Sequence, residues 1–221
     1  AVGANSGYTI QGGNSVAVGI FAAYCGQGTN SVAIGSSAAQ YTQGASAVAV
    51  GQGAGFCGQG SASVAIGTGA GSCGQGAYAI AVGYQAGWGI QGANSVSIGY
   101  NTGVCGQGVN AVASGNGTAF YNQQTGCVAV GNLAGYFNQG LNAVAIGSYA
   151  GYSGQSDNSI VINSTGLPVT SATASSCVIQ PVRNVANANY LLYNSTTGEV
   201  TYNTTISSLK YKENVVDLRD K

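Results

Sequence analysis

Residues 59 to 83 read Gln59-Gly60-Ser61-Ala62-Ser63-Val64-Ala65-Ile66-Gly67, then Thr68-Gly69-Ala70-Gly71-Ser72-Cys73-Gly74, then Gln75-Gly76-Ala77-Tyr78-Ala79-Ile80-Ala81-Val82-Gly83. Two features of this stretch return sixteen positions on: Gln59 as Gln75, and the pentapeptide that ends in glycine. Outward in both directions the pentapeptide begins again at Ser15, Ser31, Ala47, Ser95, Ala111, Cys127 and Ala143, with an altered copy from Ser159 to Asn163. The glutamines keep the same step at Gln11, Gln27, Gln43, Gln59, Gln75, Gln91, Gln107, Gln123, Gln139 and Gln155. Such a period, with no insertion, is the mark of a repeat architecture.

Small and branched residues alternate within the pentapeptide, which is the period-2 pattern of a strand. Val16 and Val18 point to one side, and Ser15, Ala17 and Gly19 to the other. Gly and β-branched residues both disfavour helix. Two short strands and two turns fit a sixteen-residue coil, and stacking such coils predicts an all-β fold, a parallel β-solenoid. Ten coils at about 4.8 Å make a rod about 48 Å long. The Val and Ile columns are expected to face the core. A column of small residues (Ala22, Ala38, Ala54, Ala70, Ala86, Thr102, Thr118, Ala134, Ala150) makes the coil thin. The Ser/Ala/Gly side is then expected outside, where a smooth neutral face suits packing against another copy of the chain.

The chain has 221 residues, of which 38 are Gly, against a usual share of about 7%. Its five acids and five bases all lie at or after Asp157, and there is no His or Met. The lack of Met makes Ala1 the expected start of a processed product or a fragment. Residues 1 to 156 therefore offer general acid–base chemistry only Cys and Tyr. Metal sites of His or carboxylate ligands are excluded there. So is nucleic-acid binding, which leans on Lys and Arg. No apolar run reaches the roughly 18 residues of a spanning helix, so no membrane insertion is expected. Neither a cofactor nor a metal is expected, and this region reads as a structure or a surface, not an enzyme.

The Ser63-Val64-Ala65-Ile66-Gly67 run, with its small residues and coil-length period, resembles the head repeats of trimeric autotransporter adhesins. The resemblance covers residues 1 to 163 and implies a left-handed parallel β-roll assembled as a homotrimer. Coils in that family are usually shorter than the coil repeated here, so the second half of each coil should differ in shape.

Three further columns run along the repeat. Cys25, Cys57, Cys73 and Cys105 share one, in which only Cys57 and Cys73 fall on adjacent coils within reach of a disulfide. With no compact cluster, these cysteines are expected to be small buried hydrophobes. Beside them stand Tyr8, Tyr24, Phe56, Trp88, Phe120, Tyr136 and Tyr152. In a strand the two columns face opposite sides, so one should be inside and the other outside. The aromatic column is the candidate binding surface, a ladder for a host glycan or protein receptor; its other reading is packing between chains. The glutamines are expected to form an amide ladder from coil to coil.

After Asn163 the repeat stops, and charges, Pro168 and Pro181 appear. Val178-Ile179-Gln180 reads as a short strand. Leu191-Leu192-Tyr193 and Glu199-Val200-Thr201-Tyr202 flank a turn at Thr197-Gly198, which predicts a β-hairpin. The expected division is a β-roll over 1–163, a connector over 164–206 and a tail over 207–221. The run Pro181-Val182-Arg183-Asn184, the hairpin, and Ser207-Ser208-Leu209-Lys210-Tyr211-Lys212-Glu213-Asn214-Val215 together are similar to phage and large-virus fibre proteins. In those, the final run opens an intramolecular chaperone that trimerises the chain and cuts itself off. Ser207, Lys212 and Val215 match the opening pattern, while Ser208 stands for its Asp and Lys210 for its Arg. The resemblance implies self-cleavage just before Ser207, with too little of the chaperone present to work.

Together these readings point to a structural and binding segment of a trimeric viral or phage fibre, on a virion surface or extracellular. A bacterial surface adhesin head is the alternative. An ice-binding solenoid is a further alternative, but its ranked threonines are missing here, since Thr29, Thr42, Thr68 and Thr102 are scattered. A glycan-degrading spike would need paired carboxylates, and Asp157 with Glu199 is a poor basis for one.

Overall fold

The computed structural model describes residues 1–182 and 190–203. Every element in them is a strand or turn, and the main body is a parallel β-solenoid of about ten coils. Its main wall is an 11-stranded sheet running from Val16–Val18 to Cys177–Gln180. Each pentapeptide supplies three residues that pair in register with the next coil, as in Val64↔Ile80, Ala65↔Ala81 and Ile66↔Val82. The Gln column forms the second wall. There Cys57–Gln59 pairs with Cys73–Gln75, and Cys105–Gln107 pairs with Tyr121–Gln123, which pairs with Phe137–Gln139. Bridges between successive glutamines join the coils on either side.

The two faces of the main sheet are the reverse of the expected ones. Ala17, Ala33, Ala49, Ala65, Ala81, Ala113, Ala129 and Ala145 are fully buried and make the core with the second alanine column, Ala22 to Ala150. The Val and Ile side chains look outward: Ile34 is 39% exposed, Ile66 41% and Ile98 44%. The reason is room. A β-carbon placed on Gly55 would lie 3.4 Å from the methyl of Ala49, and one on Gly87 equally close to Ala81. Between two walls this near, a methyl fits and an isopropyl does not.

Close coil stacking also explains the glycine that ends each pentapeptide. Gly67 has φ +122°, and a β-carbon there would sit 2.5 Å from the carbonyl oxygen of Gly83 on the next coil. At the opposite corner a positive φ falls on Asn14, Asn30, Asn94, Asn110, Asn142 and Asn158, a residue type that tolerates the left-handed region. Ser31, Ser63, Ser95 and Ser159 close that turn by donating to the carbonyl three residues back, at 2.6–2.7 Å.

The coil path outlasts the motif. Residues 164 to 180 lay a further coil, one residue longer than the others, with Ile160↔Cys177 to Asn163↔Gln180 in register. Here the core residues are larger. Val161 takes the alanine position, fully buried, with Val169 and Val178 packed against it. This compact unit ends at Pro181, so the expected boundary at 163 falls one coil early. In the second unit, Tyr190–Tyr193 and Val200–Asn203 pair antiparallel as the expected hairpin. Its turn is closed by Asn194, whose Oδ1 accepts from the amides of Thr196 and Thr197. Arg183, Asn184 and the whole 207–221 tail, including Ser207, lie outside the described residues.

Candidate functional site

The outward Val/Ile face runs the length of the main sheet. Two columns, Val16 to Ile160 and Val18 to Ile162, flank the buried alanines along the sheet, with Ser114 their one polar member. Their exposed members include Val16, Val18, Ile80, Val130, Ile146, Ile160 and Ile162, each between 36% and 44% exposed. No charged side chain occurs before Asp157 to break the stripe. Monomeric soluble proteins rarely expose contiguous apolar patches larger than a few hundred Å².

The aromatic column is only partly brought together. Tyr8 stacks on Tyr24 at 5.1 Å and 4°, and Phe120, Tyr136 and Tyr152 continue one another at 5.3 and 5.4 Å. Phe56 meets Tyr41 edge-on, and Trp88 (42% exposed) has no ring partner among the described residues. The stacks run along the rod, so the stacked rings cover part of one another's faces. Tyr136, crowded by Tyr121 and Tyr152, has its hydroxyl pKa raised, mainly by burial.

The cysteine column does not face away from the aromatic one. Cys25, Cys57 and Cys105 are half-buried and Cys73 is exposed, so the expectation of buried thiols fails for all four. The aromatic residue stands at the corner before the strand, where strict alternation does not apply. In the Cys column itself Tyr121 stacks on Phe137 at 5.2 Å, and Phe120 touches Tyr121 at 4.6 Å. The one buried cysteine among the described residues is Cys127, at the head of a pentapeptide, where its Sγ donates to the carbonyl of Gly140 at 2.7 Å.

The glutamines from Gln27 to Gln155 are buried, whereas Gln11 is exposed. Their main partner is not the next glutamine. Each of these Nε2 groups donates across the interior to the carbonyl eleven residues earlier, as Gln27 to Val16 and Gln139 to Val128, at 2.7–2.9 Å. Amide-to-amide bonds join Gln43 to Gln59 and run from Gln107 through Gln123 and Gln139 to Gln155. Ser97, the one hydroxyl in the inner alanine column, donates to Gln107 Oε1 at 2.8 Å. Sequence reasoning missed this cross-wall tie, because the strand register that brings residues eleven apart together is a property of the closed coil.

Among the described residues no group of three or more His, Cys, Asp or Glu side chains could hold a metal ion, and no helix is long and apolar enough to cross a membrane. Asp157 accepts the amide of Leu141 at 2.8 Å and belongs to the solenoid, while Glu199 belongs to the hairpin unit. No family model, curated protein or solved structure matches the chain.

Proposed function

We propose that the chain is a structural and binding segment of a trimeric fibre of viral or phage origin. In this reading the solenoid assembles through its Val/Ile face and carries a host-attachment surface, on a virion or otherwise outside the cell. The observation that carries it is the long, uncharged Val/Ile stripe on the outer face of the sheet. Full burial of a Val or Ile side chain contributes about 1.5–3 kcal/mol, so covering the remaining two fifths of an exposed member is worth roughly 0.6–1.2 kcal/mol, and less for the half-buried ones. One coil would hold little; ten coils in register give an association that outweighs the entropy of bringing chains together. The threefold symmetry comes from the resemblance to adhesin head repeats. The stacked rings and Trp88, at the corner before the second wall, remain for a glycan or protein receptor.

Light scattering coupled to size exclusion tests the reading. The expected mass is that of a trimer, three times the 21.7 kDa of the chain. The mass of a single chain at micromolar concentration would overturn it.

A further inference from the structure

We propose that Cys57 and Cys73 are an oxidation site, a thiol pair that closes to a disulfide and staples two adjacent coils. The two are direct partners in the parallel pair Cys57–Gln59 with Cys73–Gln75. Cα atoms of such partners stand about 4.8 Å apart, within the roughly 4.4–6.8 Å that a disulfide spans. The register cannot slip. Cys57 N donates to Ser72 O at 2.7 Å and Cys73 N to Trp88 O at 2.9 Å. Two residues on, Gln59 and Gln75 are anchored to Val48 and Val64 across the interior.

The pair stands apart from the other cysteines. In the same column Cys25 has Thr9 and Tyr41 as coil neighbours, and Cys105 has Gly89 and Tyr121, so neither meets a thiol. Cys127 is buried, and Cys177 pairs with Ile160. Exposure divides the labour between the two members. Cys73 is open to solvent, while Cys57 is half-buried and its thiol is raised, first by burial and then by Cys73 itself. Cys73 therefore attacks and Cys57 resolves. As a thiolate, Cys73 attacks a small-molecule disulfide such as oxidised glutathione, forming a mixed disulfide and releasing one glutathione thiolate. Cys57, losing its proton to solvent, then displaces the second glutathione and forms the Cys57–Cys73 bond. Two protein thiols have been oxidised and one disulfide reduced to two thiols. The site depends only on the coil register, so it stands or falls separately from the fibre reading.

The full chain incubated with oxidised glutathione, alkylated in denaturant and cut with chymotrypsin tests this. Cleavage after Phe56 and Tyr78 leaves both cysteines in one peptide, residues 57–78. The expected peptide is two hydrogens lighter than the reduced one and takes up no alkyl group. In Cys57→Ser the same treatment should stop at a glutathione adduct on Cys73. A lasting glutathione adduct on Cys73 of the unmodified chain, with Cys57 still alkylated, would overturn the proposal. So would a reducible crosslink between chains through Cys73, or no reaction at either thiol.

Discussion

Gln59 donates from Nε2 to the main-chain carbonyl of Val48, 2.7 Å away across the coil interior, and so fastens one wall of the rod to the other. Its Oε1 meanwhile accepts from Gln43 at 3.1 Å. Hydrogen bonds of this kind contribute about 0.5–1.5 kcal/mol each. Gln59→Leu loses both, and the expected destabilisation is about 1–3 kcal/mol, read as a lower guanidinium midpoint. Gln11→Leu is the control. That side chain is exposed, with a single 3.4 Å bond to Ser15, and its change should stay within about 0.5 kcal/mol. Equal midpoints for the two variants would show that the cross-wall bonds do not hold the coil.

Two glycines separate backbone strain from steric conflict. Gly53 has φ +62° and open space where a β-carbon would go. Gly53→Ala should cost about 1–2 kcal/mol, the penalty of a left-handed residue alone. Gly67→Ala adds a β-carbon 2.5 Å from the Gly83 carbonyl, so the coils must part. Its midpoint should fall well below that of the Gly53 variant, and circular dichroism should show lost β signal where the rod no longer closes.

The period, the strand positions and the hairpin were legible because Val64, Gln59 and Gly67 each return at a fixed step, and because Thr197-Gly198 separates two apolar runs. Which face of the strand lies inside was not. Alternation of Val with Ala names two sides, and hydrophobicity alone sends Val inward. The interior is instead set by the gap between walls, and the signal for that gap was the column Gly55, Gly71, Gly87, Gly103, Gly135 and Gly151. Glycine or alanine at that position in every coil leaves space for a facing methyl and no more. The extra coil after Asn163 was hidden for a related reason. Its longer step and the larger residues it packs against the core, Val169 and Val178, break the small-residue pattern that identified the others.

Cys127 links the core to pH. Burial is the largest cause that raises its thiol above the ordinary value near 9, against lowering by nearby backbone groups. In the unfolded chain the thiol ionises at the lower, ordinary value. Its contribution to stability is therefore fully present below that value and is lost as pH rises from there through the higher folded pKa. Stability should stay level from pH 6 to 8 in this respect and then decline more steeply than in Cys127→Ala, whose residue matches the alanine at the head of neighbouring pentapeptides. Parallel pH curves for the two proteins above pH 9 would contradict the assignment.

The reversed faces give opposite outcomes for two neighbouring substitutions. Ala65 is fully buried against the far wall, and an aspartate there would place an unpaired charge in a space that holds one methyl. Ala65→Asp should not fold, giving a spectrum without β signal. Ile66, one residue on, is 41% exposed on the outer stripe. Ile66→Asp should keep the β-rich spectrum of the single chain, since its carboxylate can reach water there, yet set a charge in the middle of the face proposed to join the chains. In light scattering the expected result is a folded species shifted from the mass of three chains toward the 21.7 kDa of one. If Ile66→Asp instead remained fully trimeric, the Val/Ile face would not be the contact between chains, and assembly would have to run through the second wall and its stacked rings.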